Sequence, residues 1–255
     1  MKTGKLLLFL TLFTLVGFAA MALTAQQVLQ NVEDRYVGDT SRANVVMTLY
    51  DADGSTRERR MSISRREMDS DNKDNHILFA APPDIRNTTY LVNERDREER
   101  KWIYLSAFRN VRRIGAEDYG LSFVASDFTY EDMDDIRADD YTATDLKEEM
   151  LGDKEVYSIV VRKNDGNTSY DRTVMKVWKD EWVILKSEMY CKRNPDRLIK
   201  VMTAENLEQI QDIWTPMLVT MKDVSRGTKT TLQTARIAYD LEIPEDVFSR
   251  RNLER

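Results

Sequence analysis

Hydrophobic and polar positions fall into three regimes along the chain. Residues 6–18 are almost unbroken apolar, with Lys2 and Lys5 before them and Ala19, Ala20 and Ala22 after. Val28, Leu29, Val32 and Tyr36 then recur at helical spacing, and Thr24 stands where its hydroxyl would cap the first turn. This predicts a short amphipathic helix over 24–36. From residue 43 onward the period drops to two. A strand is expected over 43–50, a turn at Asp51-Ala52-Asp53-Gly54, and a returning strand in which Met61 and Ile63 alternate with Ser62 and Ser64. Further strands follow at 76–80, 89–92 and 101–105, the first two separated by Pro82-Pro83. In the last of these, Trp102 and Tyr104 share one face and Ile103 and Leu105 the other. Residues 121–130 fit neither period and read as a loop or short helix. Six more strands are expected at 155–162, 172–179, 183–192, 198–207, 214–223 and 229–239, and a proline-started turn at Pro244 docks Val247 and Phe248. Runs of this length joined by short turns make an antiparallel meander, and a sheet of ~10 or more strands has to curl or close.

The opening run reads as a cleavable export signal. It falls short of the ~20 apolar residues a membrane span needs, and it ends in the small-residue pattern of a cleavage site after Ala22, with Ala25 as the alternative. The expected organisation is a signal peptide over 1–22 and a single β-rich domain with some helix (α+β) over 23–255. Cys191 is the one cysteine, far from the apolar run, so the mature chain is expected to carry no lipid anchor and no internal disulfide.

Removal of Lys2 and Lys5 with the leader leaves 36 basic against 44 acidic side chains, a sign that argues against nucleic acid as a partner. The usual catalytic constellations are poorly supplied. One histidine, His76, and one cysteine make neither a zinc site nor a nucleophile triad with an elbow glycine, and no glycine-rich phosphate loop is present. No enzyme, metal or cofactor is expected. Asp51-x-Asp53-Gly54 lacks the later ligands of a calcium loop, and the cluster Glu131, Asp132, Asp134, Asp135 is the remaining source of paired carboxylates for a hydrolase. The chain does carry 12 Met, 11 Tyr, 8 Phe and 4 Trp, large soft side chains suited either to an ordinary core or to a cavity that accepts flexible chains.

Several segments carry a resemblance. Trp102-Ile103-Tyr104-Leu105, Val111-Arg112-Arg113-Ile114, Ser122-Phe123 and Ser126-Asp127-Phe128-x-Tyr130-Glu131-Asp132, with the opening Leu23-Thr24-Ala25-Gln26-Gln27-Val28-Leu29 and the closing Ala238-Tyr239-x-x-x-Ile243-Pro244-x-x-x-Phe248-Ser249, resemble the outer-membrane lipoprotein-sorting family, in its broader LolA-like branch. The resemblance implies a strongly curved, half-open antiparallel sheet, an incomplete barrel covered by helices, in the periplasm. It also implies an apolar cavity for the acyl chains of a lipid or acylated protein. Some relatives serve resistance-nodulation-division (RND) transporters, so a non-enzymatic accessory docking to such a transporter is the second reading. The candidates for cavity wall or lid are Trp102, Tyr104, Phe123, Phe128 and Tyr130, then Trp178, Trp182 and Trp214, with the lid sought over 115–135. Arg112 and Arg113 are the candidates for an anionic head group or for pairing with the acidic loop.

Overall fold

The computed structural model describes residues 22–254. The predicted leader therefore lies outside the described residues except for Ala22. The helix is α1 (Ala25–Glu33), and Thr24 caps it reciprocally: its hydroxyl accepts from the Gln27 amide at 3.2 Å, and the Gln27 side chain accepts from the Thr24 amide at 2.9 Å.

Thirteen strands follow. The first group is β1 (Thr40–Tyr50), β2 (Thr56–Asp69), β3 (Asn72–Ala81), β4 (Thr89–Arg95), β5 (Glu98–Leu105) and β6 (Asn110–Ile114). The second is β7 (Tyr141–Leu151), β8 (Lys154–Lys163), β9 (Tyr170–Trp178), β10 (Ile184–Cys191), β11 (Asn194–Ile210), β12 (Ile213–Asp223) and β13 (Thr228–Tyr239). All belong to one curved antiparallel sheet that does not close. Its order runs β6-β5-β4-β3-β2-β1-β13-β12-β11-β10-β9-β8-β7, so the first and last strands pair at the centre while β6 and β7 form the two edges. Those edges are the strands that periodicity did not predict. β7 alternates weakly because nearly all its residues are exposed or half-exposed, and β6 is five residues long.

Alternation puts Val45, Met47, Met61, Ile77, Phe79, Tyr90 and Ile103 on the concave side, where they form the main core. The convex side of β3 and β4 is covered by two short 3₁₀ turns, Glu245–Phe248 and Arg250–Glu254, which bury Phe248 and Leu253. Val247, expected to dock with Phe248, is half-buried. Beneath these turns the fully buried Asp74 is held by Arg66 at 2.7 Å, Arg95 at 2.8 Å and Asn93 at 2.6 Å.

Because β6 and β7 sit at opposite edges yet follow each other in sequence, residues 115–140 have to pass across the concave face. This crossing segment inserts Phe123, Phe128 and Tyr130 into the core. The Phe123 ring meets Tyr90 edge-on at 5.2 Å and Tyr130 at 5.7 Å. Its charged side chains are tied to both halves of the sheet. Asp127 accepts from Thr230 at 2.7 Å and pairs with Arg226 at 3.0 Å, Asp132 pairs with Lys200 at 2.7 Å, Asp134 pairs with Lys101 at 2.6 Å, and Arg137 pairs with Glu94. Lys101 is almost wholly buried and also meets Glu99 at 2.7 Å, so two carboxylates share one ammonium. Burial, with the Glu99 charge adding to it, pushes the Asp134 carboxyl up to about 7 against the pull of Lys101.

Two outcomes are expected. Phe123→Ala should cost about 3–5 kcal/mol in denaturant unfolding, because it empties the centre of the aromatic cluster. Since folding raises the Asp134 pKa above its unfolded value, this group stabilises the fold at low pH, and that contribution is lost as pH rises through about 7. Thermal midpoints measured from about pH 5 to about pH 8 should therefore fall through this group in the native chain and fall less in Asp134→Asn.

Candidate functional site

The concave face is covered unevenly. Aromatic side chains of the crossing segment fill the hollow over β1–β5. The fully buried Val28 and Leu29 of α1 pack on Ile159, Val161, Met175 and Val177 of β8 and β9. Over β10–β12 these fillers cover the inward face only in part, and a cavity of about 560 Å³ remains.

Strand register builds its floor. Met175 lies opposite Ser187, Ser187 opposite Met202, and Met202 opposite Met221, a direct row across β9 to β12. Met189 lies two positions from Ser187 on the same face, and the facing pair Ala204 and Val219 continues the floor along β11 and β12. Met202 and Val219 point inward and pack against the edge of the main core, yet are only half-buried where they face the cavity. The walls are Val32 and Arg35 around the end of α1, Phe128 and Ile136 of the crossing segment, and Trp182 in the β9–β10 turn, which stacks on Tyr157 at 5.8 Å.

One end of the cavity is polar. Asp132 there accepts from the Thr129 amide, the Tyr170 hydroxyl and the Lys200 ammonium, each at 2.7 Å. Burial, and after it the Asp132 charge, raises the Tyr170 pKa well above the ordinary phenol value, so the hydroxyl stays protonated and donates. The other acidic side chains of the cluster are likewise engaged: Glu131 by Thr168 at 2.7 Å, Asp134 by Lys101, and Asp135 by Arg65 at 3.0 Å. They hold the segment in place rather than standing free as an acid and base pair. His76 lies opposite Ser64 and Leu91 on the convex side; burial, with Arg42 nearby, lowers its pKa to about 4 and keeps the ring neutral. Among the described residues no three His, Cys, Asp or Glu side chains group to hold a metal ion, and no helix is long and apolar enough to cross a membrane. An apolar floor with a charged rim suits the binding of an amphipathic molecule.

The residues singled out in the sequence disperse over several places. Phe128 and Trp182 line the cavity. Phe123 and Tyr130 belong to the aromatic core beside it. Trp178 and Trp214 meet edge to face at 5.1 Å in a separate cluster with Val156 and Leu185. Trp102 lies opposite Leu91, and Tyr104 opposite Thr89, both on the convex face and away from the cavity. Arg112 lies opposite Ile103 on the concave face, where it pairs with Asp118, while Arg113 lies opposite Trp102 and is exposed. The abundance of methionine in the sequence does not by itself locate the floor. Met175, Met189, Met202 and Met221 each occupy an inward position on one of four successive strands, and this recurrence was the available signal.

Three solved structures share this architecture. A candidate outer membrane lipoprotein-sorting protein domain from Vibrio parahaemolyticus superposes with a TM-score of 0.84 at 26% identity, covering 91% of this chain and 98% of that one. A DUF1329 family protein from Desulfovibrio piger gives 0.84 at 24% identity, covering 90% and 97%. A LolA superfamily protein from Nitrosomonas europaea gives 0.69 at 20% identity, covering 91% and 100%. No curated protein matches the chain. A family model that describes its members as uncharacterized protein matches residues 71–255, well over half of the sequence. The chain belongs to that family, and its fold is the LolA-like fold of the outer-membrane lipoprotein-sorting proteins.

Proposed function

We propose that the protein is an exported, periplasmic carrier that shelters the acyl chain of a lipid or an acylated protein in the cavity over β10–β12. The observation that carries this reading is the methionine-rich floor of the cavity, on which Met202 and Val219 face inward but are only half-buried. Methionine is unbranched and polarizable, so such a surface adapts to a flexible chain without demanding one shape. The volume lies within the range of ligand pockets. Each methylene buried there gains ~0.8 kcal/mol, so a modest length of chain gives useful affinity without any catalytic group.

Widening of the cavity falls to α1. The crossing segment is tied by ion pairs to strands of both halves, whereas α1 is held by its apolar face and by Gln26 and Glu33, which bond the backbone at Ala138 and Ala143. The names of the similar structures, an outer membrane lipoprotein-sorting domain and a LolA superfamily protein, fit the same reading.

Protein taken from its native compartment should carry lipid detectable by mass spectrometry and, once stripped, should bind fluorescent fatty-acyl probes. Val219→Trp fills the cavity from its floor and should weaken probe binding about ten-fold or more while the unfolding midpoint stays close to that of the native chain. Lipid-free native protein that also ignores the probes rules the carrier out.

A further inference from the structure

A ligand with an acyl tail also has a head, and the lining of the cavity distinguishes where a charged head could rest. Five basic side chains line it: Arg35, Arg65, Lys73, Lys163 and Arg172. Arg65 is neutralised by Glu67 and Asp135, Lys73 by Glu67, and Arg172 by Asp171. Lys163 stands over the Tyr119 ring and within the field of Asp134. Arg35 differs from the first three in having no salt bridge, and from Lys163 in having no aromatic ring beneath it. No carboxylate of the described residues lies within salt-bridge distance of it, and its one hydrogen bond runs from Nη1 to the Trp214 carbonyl oxygen at 3.1 Å. That leaves most of the donors of a planar guanidinium unassigned. The side chain is nevertheless partly removed from solvent: burial lowers its pKa from the ordinary arginine value against the longer-range pull of Tyr239 and Glu181, and Arg65 is near enough to repel it. A partly desolvated cation with no salt-bridge partner, only the more distant Glu181 charge, is costly to keep, and an arriving anion would relieve that cost.

We propose that Arg35, held by the Trp214 carbonyl beside the apolar floor of the cavity, is the seat of an anionic head group, a carboxylate or a phosphate ester, whose acyl chain lies along the methionine row. This rests on the acyl-carrier reading above and adds to it a specificity for negatively charged amphiphiles. A guanidinium presents parallel N–H groups that match the two oxygens of either anion.

The test compares a fluorescent polyene fatty acid, its methyl ester and a fluorescent lysophosphatidylglycerol on the full mature chain, as native protein, Arg35→Gln and Arg35→Lys. The native protein is expected to prefer the acid, the lysophosphatidylglycerol or both over the ester by about ten-fold or more. Arg35→Gln should abolish that preference by weakening the acid and the lysophospholipid far more than the ester, and Arg35→Lys should retain part of it. Loss confined to the fatty acid identifies a carboxylate, and loss confined to the lysophospholipid identifies a phosphate. If acid, ester and lysophospholipid bind alike, or if Arg35→Gln weakens all three equally, the assignment of Arg35 is overturned while the cavity reading stands. If none of the three binds the native protein, both fall together.

Discussion

The connection between β6 and β7 cannot run around the outside of the sheet without leaving the hollow empty, and in this protein it runs through. That one path is held by charge. Asp127, Asp132, Asp134 and Arg137 leave water to meet Arg226 in the β12–β13 turn and Lys200, Lys101 and Glu94 on strands from both halves of the sheet. Buried pairs of this kind are weak sources of net stability compared with well-packed apolar groups, but breaking one strands an uncompensated charge at a cost of about 3–5 kcal/mol. Their effect is positional. They fix the depth at which Phe123, Phe128 and Tyr130 sit, and so how much of the interior the chain fills for itself.

The cavity follows from what these contacts leave over. One filler belongs to the crossing segment and serves β1–β5; the other, α1, serves β8 and β9. The strands between them keep an inward face that is covered only in part. A sheet this wide encloses more volume than a nine-residue helix and a loop occupy, and the residues at the gap are the compliant ones, methionine above all. Charge and cavity thus have one origin: the same carboxylates that fasten the segment form the polar end of the cavity.

Much of this architecture was legible in the sequence. Thr24 and Gln27, with Val28 and Leu29 one turn along, specify α1 by local chemistry alone. The alternation through Met61 and Ile63 and through Trp102 to Leu105 gave strand faces that register confirms. The edges were illegible for a physical reason. A strand with one neighbour and little buried surface, such as β7 with its Thr, Asp, Lys and Glu, has no need of an apolar period. The site was harder still. Aromatic residues attract attention, but the aromatics here went to the core, to the convex face and to a satellite cluster as well as to the cavity. The floor came from four methionines brought together only by the pairing of β9 through β12, which no local window contains. Arg35 carries no motif at all; only its lack of a salt bridge in the folded chain, despite Asp34 next to it, sets it apart.

The central seam of the sheet joins β1 to β13, so Ser41 pairs with Tyr239 and nearly the whole chain intervenes between partners. A polypeptide emerging in order can form each half as a local meander but cannot unite them until its last strand is available. Until then β1 and β12 each present a long unpaired edge, open to a partner from another molecule. Completion of synthesis, rather than any local signal, therefore gates maturation, and a chain truncated before β13 would be left as two sticky half-sheets with no shared interior.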